Sequence, residues 1–235
     1  MKLLLLALAP VIFANAGTLF TDLGTGGSVY DPSNGSTVKG SGSGGSSITQ
    51  ARPFTVAGTG DDLVSQIDLG FVTQTGTPTF TASIWTDNSG LPGVELGTWN
   101  LSTSVTLGHC CGLSSQTGIT GVTVTGGTEY FMVVGPRSLT DNSFNQWQWN
   151  TTGAVADQLG SLDGGATWIN DGQGANLAFD VLGTSAAPEP HSLLLLGAGL
   201  AGMLTAFCRA RQRQSSMHSI PAAGSTPNPA SSQLQ

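Results

Sequence analysis

Charge is scarce in this chain. Seven Lys and Arg and fourteen Asp and Glu are spread over 235 residues. Between residues 17 and 187 the only basic side chains are Lys39, Arg52 and Arg137. Nucleic acid and anionic surfaces are bound by clustered Lys and Arg, so this stretch is not expected to bind nucleic acid. Histidine and cysteine are equally thin, with three of each. A serine nucleophile needs a histidine base beside it. Residues 17–187 offer only His109, and no serine there sits in a Gly-x-Ser-x-Gly turn. A metal site needs three or four convergent ligands, and His109-Cys110-Cys111 has no second cluster to complete it. Neither a metal nor a cofactor is expected. Asp61-Asp62 and Asp87-Asn88 could offer oxygens to Ca²⁺, but no EF-hand or nonapeptide repeat surrounds them. They read as solvated loop carboxylates. Cys110 and Cys111 are adjacent, so in an oxidising compartment they can bridge to each other or to other chains.

Long apolar runs are also missing. Permanent spanning takes about 20 apolar residues, and the two runs present are shorter. The first, Leu3 to Phe13, follows the single charge of Lys2 and leads into Ala14-Asn15-Ala16. That order of charge, apolar run and small-x-small site is a signal peptide. Signal peptidase is expected to cut after Ala16, leaving Gly17 as the first residue. The second run, Leu193 to Phe207, is closed by Arg209, Arg211 and Arg213. As a helix, Ser192 to Cys208 would reach about 25 Å at ~1.5 Å per residue, with the arginines snorkelling to extend it. The positive-inside rule keeps the arginines cytoplasmic. A single transmembrane helix then holds residues 17–187 outside.

The exported stretch alternates with a period of two. Ile67, Leu69 and Phe71 alternate with Asp68 and Gly70, and Phe80, Ala82 and Ile84 with Thr81 and Ser83. Val122 and Val124 repeat the pattern, as do Leu177, Phe179 and Val181. Tyr130 to Val134 is continuously apolar, as a central strand covered on both faces would be. Turn residues punctuate these runs at Thr75-Gly76, Asp87-Asn88-Ser89-Gly90 and Gly126-Gly127. No ten-residue stretch carries a helical stripe. The expected fold is all-β, a β-sandwich of jelly-roll or immunoglobulin-like topology. A short strand is expected at the mature start. The Gly/Ser-rich residues 33–47 are expected to form a flexible loop.

Before the second apolar run stands Pro188-Glu189-Pro190. Two prolines fix their own φ and restrict the residues before them, giving a stiff extended stub at the membrane surface. A processing enzyme can grip such a segment. Together, Ala187-Pro188-Glu189-Pro190, the Leu193 to Gly202 run and Arg209-Ala210-Arg211-Gln212-Arg213 resemble the PEP-CTERM sorting signal of bacteria with an extracellular polymeric matrix. The resemblance implies that exosortase, a membrane protease, cuts near Pro188-Glu189-Pro190 and releases or re-anchors the domain. Residues 188–213 are then the sorting and transmembrane segment, and the composition of 214–235 implies a disordered polar tail. Phe80 to Trp85 with Asp87 to Gly93, and Gly127-Thr128-Glu129-Tyr130, are similar to the β-rich choice-of-anchor module of sorted proteins. That module implies no catalytic residues.

Other motifs are less telling. Gly197-x-Gly199-x-x-Gly202 matches a dinucleotide fingerprint, but it lies inside the apolar run with no strand before it. Small residues there permit close helix contact instead. Ser161-x-Asp163-x-Gly165-x-Thr167-Trp168 resembles an Asp-box, a structural hairpin in which the aspartate bonds its own turn and the tryptophan packs on the sheet. Trp147 and Trp149 flank Gln148 and face one side of a strand. Exposed, they would stack on sugar rings; buried, they are core. Asn150-x-Thr152 matches a glycosylation acceptor, read as chance. Glu95 and Glu129 could meet in space as a hydrolytic pair, though nothing local recommends them.

The sequence thus points to a non-enzymatic secreted surface or matrix protein, structural or adhesive within extracellular polysaccharide. The first alternative is a carbohydrate-binding module using Trp147 and Trp149, and the second is an extracellular hydrolase. The expected partners are signal peptidase, exosortase, the membrane through the C-terminal helix, and polysaccharide.

Overall fold

A computed structural model describes residues 16–185. The strands fall in two sheets. The first contains β1 (Gly17–Thr21), β13 (Phe179–Ser185), β4 (Asp61–Thr75), β10 (Phe144–Gln148) and β2 (Gly35–Lys39), in that order. Two shorter strands, β7 (Leu113–Thr117) and β8 (Thr123–Thr125), also pair with β4. The second sheet runs β12 (Ile169–Ala175), β11 (Val155–Ser161), β3 (Thr49–Thr55), β9 (Glu129–Gly135), β5 (Thr79–Asp87) and β6 (Pro92–Ser102). All of these pairings are antiparallel. The only helical turn among the described residues is a 3-10 turn at Ser41–Ser43. No helix among them is long and apolar enough to cross a membrane, and the expected span at 193–207 lies outside them.

One apolar core is shared by the two sheets. Ile67, Leu69, Phe71, Trp147, Phe179 and Val181 come from the first sheet, and Phe54, Phe80, Ile84, Tyr130, Met132 and Val134 from the second. Period-two alternation sends these side chains to one face of each strand. β9 lies between β3 and β5 and is covered on both faces, as its unbroken apolar run requires. Tyr130, Met132 and Val134 enter the shared core, while Phe131 and Val133 join Ala51 and Leu159 in a second cluster.

One expectation needs correction. Residues 33–47 are not simply a loop: they contain β2, which pairs with β10, and Val38 is fully buried. Gly35, Gly40 and Gly42 there allow close backbone approach. A Cβ on Gly35 would lie 2.8 Å from Gln148 Cα, and one on Gly42 2.6 Å from Asp141 O. The alternation in β4 runs between two apolar surfaces. Tyr30, Val72 and Ala178 form a third cluster, and Tyr30 and Ala178 crowd against Gly70, so both faces are covered. This leaves Asp68 buried on β4, directly opposite Asp180 on β13.

Candidate functional site

In the second sheet two neighbouring strands, β3 and β11, part along half their length. β11 pairs with β3 only at Leu159–Ser161, opposite Thr49–Ala51. The earlier half of β11 stays with β12, matching Val155 to Ala175 and Asp157 to Gln173. Arg52 to Thr55 of β3 therefore have no partner on the β11 side. Pro53 lies in this stretch and has no N–H to give a ladder. The parting opens a wedge-shaped cleft of about 420 Å³. Its chemistry comes from three carboxylates, Asp22, Glu129 and Asp157, and three rings, Phe20, Phe54 and Phe131.

Each acid is brought in by a different element. Asp22 follows β1, and its Oδ2 accepts a hydrogen bond from Asn176 Nδ2. Burial pushes the Asp22 carboxyl above the ordinary aspartate range, partly offset by that bond. Glu129 opens β9. Burial raises its pKa first, then the charges of Asp87 and Asp157. Asp157 projects from the freed half of β11. The rings continue the core: Phe20 lies 5.4 Å from Phe54 and 4.7 Å from Phe179, centre to centre. No Lys, Arg or His lines the cleft. The site concentrates negative charge against apolar walls, and carries neither a nucleophile–base pair nor a metal cluster. Among the described residues no group of three His, Cys, Asp or Glu is placed to hold a metal ion.

Most residues singled out in the sequence lie elsewhere. Trp147 is fully buried, donates from Nε1 to Ala178 O at 3.1 Å, and meets Phe179 edge-on at 5.4 Å. Trp149 packs half-buried against the same core. The exposed two-tryptophan platform is therefore overturned: β10 turns this face into the shared core. Glu95 lies on β6 opposite Trp85, so β5 separates it from Glu129 on β9, and it does not line the cleft. Asn150 is turned inward. Its Oδ1 accepts from Thr152 and Gly153 N–H at 3.0 and 2.9 Å, and its Nδ2 donates to Ala154 O and Asn176 O at 2.8 and 2.7 Å. His109 is exposed, its Nδ1 3.1 Å from Thr106 Oγ1. Cys110 and Cys111 are bridged to each other. Cys110 borders a second cavity of about 610 Å³ beside Tyr30, Asp31 and Thr151.

The Asp-box reading describes the β11–β12 hairpin closely. Asp163 accepts from Thr167 N at 2.9 Å, Thr167 Oγ1 at 2.7 Å and Ser161 Oγ at 2.7 Å. These bonds, led by the Thr167 side chain, pull its carboxyl down to about 2. Ser161 Oγ accepts from Gly165 N at 2.7 Å. Trp168 packs on Ala51, Phe131, Val133 and Leu159. Ala16 and Gly17, the expected cleavage pair, are exposed at the start of β1. Ala14, Pro188, Glu189, Pro190, Arg209, Arg211 and Arg213 lie outside the described residues.

The remaining sorting evidence is a family comparison. Residues 186–212 match the PEP-CTERM protein-sorting motif. The match supports membership among exosortase substrates, and so a secreted, envelope-associated protein processed by that membrane enzyme. It begins one residue after β13 ends. No curated protein matches the chain. The acid cleft had no sequence signal: its three carboxylates are far apart in the chain, and only strand order brings them together.

Proposed function

We propose that this chain is a non-enzymatic surface or matrix protein, a β-sandwich of the choice-of-anchor type carried to the envelope and there sorted by exosortase. The observation that carries the reading is the PEP-CTERM match at residues 186–212, directly after the last strand of the domain. A signal peptide ending at Ala16 starts export. The apolar run 193–207 halts transfer as a transmembrane helix, and Arg209, Arg211 and Arg213 fix its orientation. Exosortase then cuts near Pro188-Glu189-Pro190, and the domain enters the matrix in a structural or adhesive role.

The test is fractionation of an epitope-tagged chain in a host that has exosortase. Replacing Pro188, Glu189 and Pro190 by alanine is expected to leave export and insertion intact while the domain stays in the membrane fraction. Replacing the three arginines is expected to disturb retention or orientation instead. Release of the alanine variant at the normal rate would refute exosortase sorting and leave only a membrane anchor.

A further inference from the structure

We infer that the Cys110–Cys111 bridge is a thiol-capture site. A small aliphatic thiol, neutral or positively charged, enters the neighbouring cavity and is bound covalently on Cys110. This goes beyond the sorting reading and does not depend on it.

The bridge is poorly placed to hold the fold. A disulfide stabilises mainly by closing a long loop of the unfolded chain, and this one joins sequence neighbours. Other contacts fix the segment around it. Thr103 Oγ1 donates to Phe71 O at 2.7 Å, Leu107 N to Thr73 O at 3.0 Å, and Gly108 N to Pro32 O at 3.0 Å. Tyr30, itself buried, donates from its hydroxyl to Gly112 O at 3.1 Å. Opening the bridge therefore leaves the segment in place, and the two sulfurs are available for chemistry.

The two cysteines differ in access. Cys110 is exposed and borders the cavity of about 610 Å³. Cys111 is half-buried against Tyr30, Val72 and Ala178 and does not border it. Which sulfur is attacked in thiol–disulfide exchange depends on access, so an incoming thiolate meets Cys110 Sγ. A bond forms between those two sulfurs and the Cys110–Cys111 bond breaks. Its electron pair goes to Cys111 Sγ, which takes a proton from water. One disulfide replaces another, so no separate oxidant or reductant is consumed. Cys111 Sγ lies 3.5 Å from Gly27 O, an acceptor for the new S–H. That carbonyl and the apolar cluster favour the thiol over the thiolate. Cys111 therefore returns slowly, and the captured thiol is retained. The cavity narrows the class of thiol. Among the described residues Asp31 is the only charged side chain lining it. Its Oδ2 accepts from Asn34 Nδ2 at 2.9 Å and its Oδ1 from Ser33 N at 2.8 Å. The Asn34 bond first, then those from the backbone, hold its carboxyl below the ordinary aspartate range. An anionic thiol is repelled there, and a neutral or cationic one is not.

The experiment treats the purified full chain with stoichiometric cysteamine in mildly alkaline buffer at low salt. N-ethylmaleimide stops the reaction, and peptide mapping by mass spectrometry keeps Cys208 apart from the pair. Most opened chains are expected to carry cysteamine on Cys110 and maleimide on Cys111. Mercaptoethanesulfonate, an anionic thiol, is run in parallel. Each rate is divided by the rate of the same thiol with hydroxyethyl disulfide, which cancels intrinsic reactivity. On that scale cysteamine is expected to react about two- to fivefold faster than the sulfonate, as fits one exposed charge. Asp31→Asn keeps the shape and is expected to remove most of this preference. Asp61→Asn, outside the cavity, is expected to leave it, with circular dichroism unchanged in both variants. Cysteamine chiefly on Cys111, maleimide on both cysteines without a cysteamine adduct, or a bridge that stays closed would each overturn the proposal. So would a charge preference that is missing, or one that survives Asp31→Asn.

Discussion

Asp180→Asn is expected to stabilise the protein at pH 8 and to do almost nothing near pH 4. Asp180 on β13 faces Asp68 on β4 as a direct cross-strand pair. Asp68 Oδ1 and Asp180 Oδ1 are both buried without a donor. Gln66 Nε2 donates to Asp68 Oδ2 at 2.7 Å, and among the described residues no Lys or Arg hydrogen-bonds to either acid. Across from Asp68, β7 offers Ser115, and across from Asp180, β1 offers Thr21. Burial, then the charge of Asp68 and the hydrogen bond between the two, push the Asp180 carboxyl up to about 7 from an ordinary value of 3.8. A proton on Asp180 is therefore held more tightly by the folded chain than by the unfolded one. Between these two values the folded state binds more protons, so stability falls as pH rises. Below about pH 4 both states are protonated and the difference vanishes. At about 1.4 kcal/mol per tenfold change in proton affinity, the full gap corresponds to about 4 kcal/mol. Asp180 is only partly shielded from solvent, which reduces the cost of ionisation to about 2 kcal/mol. Asn keeps the shape of a protonated acid and cannot ionise. Urea denaturation of both proteins from pH 4 to 8 should show curves that coincide in acid and diverge by about 2 kcal/mol at pH 8. In thermal melts the same gap is about 4–8 °C for a domain of this size. Curves that stay parallel across the range would refute the argument.

Two further substitutions probe the fold. Asp163→Ala removes the acceptor for Thr167 N and Thr167 Oγ1, and should speed hydrogen exchange at Thr167 and Gly165 while leaving exchange in β9 unchanged; unchanged exchange at Thr167 would show that the box does not hold the hairpin. Arg52 lies fully buried with its Nε unpartnered and no carboxylate bonded to it. Arg52→Met should leave stability within about 1.5 kcal/mol or raise it, whereas Arg52→Ala should cost about 2–4 kcal/mol through the cavity it opens; denaturant titrations separate the two, and a Met variant as unstable as the Ala variant would show that the charge itself is required.

The elements legible in the sequence are those whose own residues dictate them. β9 announces itself by five apolar residues in a row, and β5 by strict alternation. The turn after β5 uses Ser89 and Gly90 at positive φ, with Asp87 Oδ1 accepting from Gly90 N at 2.7 Å, so its residues specify its shape. The Asp-box is local for the same reason. Strands β2, β7 and β12 are polar and short, and only their neighbours make them strands. Trp147 and Trp149 show the limit of periodicity: it placed both rings on one face but could not say which side of the sheet was covered. The cleft and the Asp68–Asp180 pair depend on which strands become neighbours. That choice is made by the whole core, not by any local pattern.

The position of β13 bears on the order in which the domain can fold. It is the last strand of the domain, yet it lies inside the first sheet, between β1 and β4. β1 begins at Gly17, and its partner on β13 is Gly183. The first strand made therefore waits for the last one, with almost the whole domain threaded between them. Such long-range closure is slow and cannot be completed on a partial chain. On the export route proposed above, a chain that crosses a membrane unfolded would gain from that delay. The sheet closes only when residue 185 has emerged, and the next residues to arrive are those of the sorting motif. On that reading, folding and sorting would be timed by the same stretch of polypeptide.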